Sequence, residues 1–110
     1  MISTHVLDLM SGKPASGVSV TLARLDADGW RVIGKARTNR DGRVAAVNGK
    51  RRLTSGIYEL NFETGAYFKR AKTVAFHPWV TITVHVTDGR AHYHVPLLVS
   101  PFGYTTYRGS

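Results

Sequence analysis

The sequence contains no cysteine. No disulfide can staple the fold, and no thiolate is available as a nucleophile or as a metal ligand. Such a composition is compatible with a reducing compartment. Acidic residues are few, seven in 110 positions, and no carboxylate pair suited to general acid–base work stands out among them. Long apolar runs are missing too; nothing approaches the ~18 consecutive apolar residues of a membrane helix. The opening residues Met1 to His5 carry neither a basic region nor an apolar run, so no signal peptide and a cytoplasmic location are expected. There is no Gly-x-Ser-x-Gly elbow and no glycine-rich phosphate loop. Internal repeats, low-complexity segments and linkers are also absent. One domain spanning residues 1–110, long enough for a core, is therefore expected.

What is abundant is positive charge. The formal net charge is +8, and Lys35, Arg37, Arg40, Arg43, Lys50, Arg51 and Arg52 stand against only Asp41 between them. A basic stretch can attract phosphate backbones. Here the charges fall on a strand, a turn and a loop, and no nucleic-acid motif accompanies them. A solvated basic face that attracts small anions is the expectation, with neither nucleic acid nor membrane as partner.

Hydrophobic residues alternate with polar ones through most of the chain. Val18, Val20 and Leu22 alternate with Ser19 and Thr21. Asp28-Gly29 and Asp88-Gly89 read as hairpin turns, and Asn39-Arg40-Asp41-Gly42 as a further turn. Trp30 to Thr38 alternates Trp30, Val32, Gly34 and Ala36 against Arg31, Ile33, Lys35 and Arg37. Arg43 to Val47 reads as a short strand, and Asn48 to Ser55 as a polar basic loop. Gly56 to Glu63 sets Tyr58, Leu60 and Phe62 on one face, and Val80, Ile82, Val84 and Val86 repeat the pattern. Between them Thr64 to Lys72 breaks the period. Tyr67, Phe68 and Ala71 fall at helical spacing there, with Thr64 as a cap, which predicts one short helix. Ala91 to Ser100 and a closing strand from Tyr104 complete seven or eight strands, an all-β sandwich. Pro96 within its strand argues for an edge position or a bulge.

Five histidines offer the chemistry. His92 and His94 share a strand face and could present two imidazoles to zinc. A third ligand would have to come from distant His5, His77 or His85 or from a carboxylate, so no metal is expected. The remaining option is a metal-free, cofactor-free site. In it a histidine activates water and an arginine holds a polarised oxygen. His5, Arg43 and His94 are the right residue types, although their spacing does not show that they meet. The tail Tyr107-Arg108-Gly109-Ser110 offers a phenol, a guanidinium, a glycine and a hydroxyl, the materials of a site wall or of an ordinary closing strand.

Several stretches resemble the signatures of the 5-hydroxyisourate hydrolases, the transthyretin-related enzymes of urate breakdown. Ser3-Thr4-His5-Val6-Leu7-Asp8 followed by Gly12-Lys13-Pro14-Ala15 resembles the N-terminal signature, and Thr38 to Arg43 the central turn. Gly65-Ala66-Tyr67-Phe68 resembles the start of the family's short helix. His92 to Leu98 and the terminal Tyr107 to Ser110 resemble the C-terminal signature. The Asn48–Ser55 loop matches no family pattern. The resemblance implies a transthyretin-like (prealbumin-like) sandwich of two four-stranded sheets with one short helix. It implies a homotetramer with active sites where dimers meet. It implies hydrolysis of 5-hydroxyisourate to 2-oxo-4-hydroxy-4-carboxy-5-ureidoimidazoline without metal or cofactor. By the same resemblance His5, Arg43 and His94 are catalytic. His5, Arg43, Tyr107, Arg108, Gly109 and Ser110 bind substrate, and His92 is structural or supporting. Which histidine is the base stays open. The competing expectation is a non-enzymatic carrier, as transthyretin is for thyroid hormone.

Overall fold

The computed structural model describes residues 1–110. Strands β3 (Ser19–Asp26), β4 (Gly29–Arg37), β6 (Gly56–Phe62) and β7 (Val80–Val86) form one antiparallel sheet in the order β4-β3-β6-β7. Val20, Leu22, Tyr58, Leu60, Phe62, Val80, Ile82 and Val86 are all buried on its inner side. The second sheet contains β1 (Ile2–Asp8), β8 (Tyr93–Ser100) and β9 (Gly103–Thr106), in the order β1-β8-β9. Two two-residue strands, β2 (Lys13–Pro14) and β5 (Arg43–Val44), pair with β1. Ile2, Val6, Tyr93, Val95, Leu97 and Val99 point inward from this sheet and close one core against the other. Each such side chain contributes about 1.5–3 kcal/mol on burial. A one-residue slip would turn every one of them to solvent, so the alternation fixes which face is which. No helix is long and apolar enough to cross a membrane.

One pairing has special consequences. β1 and β8 run parallel, in a register that sets Ser3 opposite His94 and His5 opposite Pro96. Ser3 and His94 are 91 positions apart in the chain. The pairing closes the sandwich with the two ends of the chain side by side.

The helix α1 (Thr64–Arg70) covers one end of the core with Phe68. The Tyr67 hydroxyl donates to Asp8 Oδ2 at 2.8 Å. Burial and, after it, that carboxylate push the phenol up to about 12. Asp8 Oδ1 accepts the N–H groups of Met10 and Ser11, so one buried carboxylate ties helix, strand end and turn together.

Several local expectations need correction. Thr64 does not cap α1: Glu63 holds that position without a side-chain cap bond, and Thr64 is the first helical residue, buried with its hydroxyl unpartnered. The free first-turn N–H of Gly65 is taken instead by the Pro78 carbonyl at 3.0 Å, a tertiary contact that replaces a local cap. In β4 the strict alternation fails at Ile33. The register with β3 shifts there, Leu22 facing Gly34 and Ala23 facing Val32, and the extra residue turns inward. The strand from Arg43 stops at Val44 rather than Val47.

Pro96 lies at neither a sheet edge nor a bulge, because β8 is flanked by both β1 and β9. The β9 ladder begins one residue further on, at Leu97 opposite Thr106. The Pro96 carbonyl accepts the Thr106 hydroxyl at 2.7 Å. Its side without an N–H therefore faces the place where the ladder has stopped, and no ladder bond is lost. The Asn48–Ser55 loop, although basic, is anchored. Leu53 enters the core, and Asn48 Oδ1 accepts the Ile2 N–H at 3.0 Å.

Candidate active site

Residues directly opposite in neighbouring strands share a face. The register sets His5 on β1 opposite Arg43 on β5, and Ser3 opposite His94 on β8. Ser3 and His5 are two apart on β1, so all four stand on the outer face of this sheet. Ser3 is buried, His5 and His94 are half-buried, and Arg43 is exposed.

The turn before Arg43 explains its placement. Asn39 Oδ1 accepts the N–H groups of Asp41 and Arg43 at 2.9 and 3.0 Å. Gly42 adopts φ +73, and an added Cβ would lie 2.4 Å from the Val6 carbonyl oxygen. Only glycine allows the turn to press onto β1 in this way. The Gly42 carbonyl then accepts the Val6 N–H at 2.7 Å, and Arg43 follows in register with His5.

The far side of His94 is set by the tail. Gly109 forms an isolated bridge to His94, its N–H donating to the His94 carbonyl at 2.8 Å. A Cβ at Gly109 would lie 2.5 Å from His94 Cδ2. The imidazole is packed against bare backbone. Ser110 reaches the same cavity, of about 510 Å³, which Ser3, Asn39, Arg43, His92 and His94 also line.

Tyr107 and Arg108 stand elsewhere. They line a second cavity of about 310 Å³ with residues of β7 and with Tyr93 and Val95. The Arg108 guanidinium carbon sits 4.7 Å from the Tyr93 ring centroid, a cation–π contact. Tyr107 is 58% exposed. Within one chain the fold therefore brings together His5, Arg43, His94, Gly109 and Ser110, and keeps Tyr107 and Arg108 on the other side of β8. His77 stacks edge-on between Phe76 and Tyr104, at 5.0 and 5.1 Å, away from this face.

Burial, then the Arg43 charge, then His5 and His92, hold the His94 imidazolium below its ordinary 6.5. Cations nearby penalise a further cation. At neutral pH His94 is a neutral imidazole, able to accept a proton, beside a guanidinium able to hold a developing oxyanion. No three or more His, Asp or Glu side chains gather as a metal site. His92 and His94 converge instead on the Ser3 hydroxyl, at 2.7 and 2.8 Å. The role of Ser3 is not legible in the sequence, because the parallel register that delivers it to both rings is set by the whole sandwich.

The sequence profile described as Transthyretin, HIUase/Transthyretin family, matches residues 2–109. The chain belongs to the HIUase/transthyretin family. A relative in this family, the 5-hydroxyisourate hydrolase of Salmonella dublin, is 41% identical over 110 residues, covering 100% of this chain and 81% of that protein. Among solved structures, Klebsiella pneumoniae 5-hydroxyisourate hydrolase superposes with a TM-score of 0.88 at 38% identity, covering 99% of this chain and 98% of the other. Sea bream transthyretin in complex with thyroxine gives 0.91 at 29% identity, covering 98% and 93%. The HIUase/transthyretin fold thus serves both a hydrolase and a hormone-binding protein, and the fold alone does not choose between them.

Proposed function

We propose that this chain hydrolyses 5-hydroxyisourate to 2-oxo-4-hydroxy-4-carboxy-5-ureidoimidazoline in urate breakdown. The observation that carries the reading is the convergence of His5, Arg43 and a neutral His94 on one sheet face. Relatives named as hydrolases of this compound, at about two-fifths identity over the full chain, support it. In the reaction a water attacks the ring amide carbonyl, and the six-membered ring opens. His94 removes the water proton and later returns it to the leaving ring nitrogen. General-base help of this kind is worth about 10²–10⁴-fold. Arg43 holds the oxygen of the tetrahedral intermediate through its fixed fork of donors. His5, on the same face, orients the planar substrate, and Gly109 and Ser110 close the wall beside His94. No metal or cofactor takes part.

The reading includes a homotetramer whose active sites lie where dimers meet. Its support is the open outer face of the β1–β8 sheet, where a half-buried imidazole pair and an exposed guanidinium have no covering layer in a single chain. Two copies placed face to face would enclose the cavity, and Tyr107 and Arg108 would add substrate contacts in the assembled protein. Residues 1–110 act as one hydrolase domain, in the cytoplasm. The carrier alternative has the likeness to thyroxine-bound transthyretin in its favour. A carrier has no need of a neutral imidazole beside a guanidinium, which is why hydrolysis is preferred.

The test is the ultraviolet decay of freshly generated 5-hydroxyisourate with and without the protein, alongside its mass in solution. Decay no faster than the uncatalysed rate would leave the carrier reading, and a monomer at assay concentration would remove the interface site.

A further inference from the structure

The Ser3 hydroxyl lies between two imidazoles, 2.7 Å from His92 Nε2 and 2.8 Å from His94 Nδ1. Ser3 is buried, His94 half-buried and His92 exposed, and all three line the same cavity. A hydroxyl carries one proton. The two rings are its only partners, so its proton is satisfied only when it donates to one ring and accepts from the other. Two arrangements are therefore open. In the first, Ser3 donates to His94 Nδ1, and a neutral His94 carries its proton on Nε2. In the second, His94 Nδ1–H donates to Ser3, Ser3 donates to His92 Nε2, and His94 Nε2 is left bare. Only the second makes His94 a base through its outer nitrogen.

We propose that Ser3 and His92 are positioning residues that hold His94 with Nε2 bare and relay its proton away to His92 while the tetrahedral intermediate lasts. The proposal rests on His94 as the base of the hydrolysis above. When His94 Nε2 takes the water proton, its Nδ1 proton passes to Ser3 Oγ as the Ser3 hydroxyl proton passes to His92 Nε2. His94 is then neutral with its proton on Nε2, Ser3 is again a hydroxyl, and His92 is the cation. On ring opening the protons run back. His94 gives its Nε2 proton to the leaving nitrogen, Ser3 returns one to Nδ1, and His92 returns one to Ser3. Each nitrogen and oxygen recovers its starting state, and no further reactant is needed.

The surroundings explain the benefit. His94 faces Arg43 from β5, His5 from β1 and His92 from its own strand, and it is partly out of water. A charge resting on His94 is opposed by all of these. A charge resting on His92, the more exposed ring in the single chain, is less desolvated, and along the register it lies one residue pair further from Arg43. The arrangement uses a serine where a carboxylate would more commonly orient a histidine. With no acidic side chain nearby, only the hydroxyl can both accept from one ring and donate to the other.

The experiment compares Ser3→Ala, Ser3→Thr and His92→Ala with the intact protein, each checked for melting temperature and assayed against 5-hydroxyisourate. Ser3→Ala is expected to lower kcat about ten- to hundredfold with KM within about twofold, as for loss of a group that orients a catalytic histidine. Its acid limb should move to lower pH, since the acceptor that favours the imidazolium is gone. Ser3→Thr keeps the hydroxyl and should restore most of the rate. His92→Ala, at an exposed position, should lose about tenfold in kcat, and added imidazole should recover it in a saturable way. Wild-type kcat in Ser3→Ala or in His92→Ala, or a loss in His92→Ala that imidazole does not recover, overturns the relay. Should Ser3→Ala fail to fold, His92→Ala and its imidazole response decide alone. A full rate in His94→Asn is a different failure: it removes His94 as base, and the relay with it.

Discussion

The two sheets present outer faces of similar make and opposite use. On β6 and β7, Glu59 and Asn61 point outward opposite Thr83 and Thr81, and Glu63 follows just past the end of β6. Three of these side chains are linked: Asn61 Nδ2 donates to Glu63, and the Thr81 hydroxyl donates to Asn61 Oδ1. On β1, β5 and β8 the outward residues are Ser3, His5, Arg43 and His94, with no carboxylate among them. Ser3, Arg43 and His94 line one cavity, His5 stands opposite Arg43, and burial first, then the neighbouring cations, hold His94 below its usual range. Alternation is alike on the two faces. The difference is electrostatic. A face of carboxylate, amide and hydroxyl groups partly hydrogen-bonded to one another is solvated surface, whereas one with cationic groups around a half-buried base is poised for chemistry.

The largest expected contrast is at the base. His94→Asn keeps a polar side chain but cannot take the water proton, so kcat should fall about 10²–10⁴-fold. Glu59→Gln on the other sheet should leave kcat within about twofold. Steady-state kinetics on both, with circular dichroism to confirm folding, would break the comparison if the two losses were equal.

Next comes the guanidinium. Arg43→Lys keeps the charge and loses the planar fork, and kcat/KM should fall about 10²-fold with the melting temperature unchanged, because the residue is exposed. Near-normal turnover would mean that Arg43 contributes only diffuse positive charge.

A smaller effect separates two tail glycines. Gly109→Ala forces its Cβ toward His94 Cδ2, at 2.5 Å, and must push the ring or the tail aside. About a tenfold loss of kcat/KM is expected, since small misplacements of a reacting group are costly. Gly103→Ala meets nothing closer than the Ser100 hydroxyl at 3.9 Å, and should be near neutral in the same assay.

The finest test is the pH profile. The base must be neutral, and burial and neighbouring cations lower its pKa. The acid limb of kcat/KM should therefore fall below the ordinary 6.5 rather than above it. In Arg43→Lys the cation remains and the limb should stay low; in Arg43→Met it should move back up toward 6.5. An acid limb above 6.5 in the intact protein would assign the titration to another group.

Much of the fold was legible because burial at period two is a local signal. Val20 and Leu22, Tyr58 to Phe62 and Val80 to Val86 turn inward as their spacing requires. The misreadings share a cause. Ile33 turns inward at a register shift, Thr64 yields its cap to the Pro78 carbonyl, and Pro96 sits in an interior strand because a ladder ends beside it. Each depends on a neighbour far away in the chain. The site followed the same division. His5, Arg43 and His94 could be singled out by residue type and by likeness to a family, but neither feature showed that they meet, nor that Ser3 joins two of them.

By itself the sequence determined the alternation, the turns, the absence of thiols and the surplus of positive charge, since these are properties of residues and their nearest neighbours. Only the tertiary structure decided that β1 runs parallel to β8. That single pairing sets residues 91 positions apart within hydrogen-bonding distance. It also turns two separated histidine segments and a turn arginine into one face. A parallel pair needs a crossover, and here almost the whole sandwich is the crossover. Its register is fixed by which side chains of both sheets are buried together, a condition no local stretch of sequence contains.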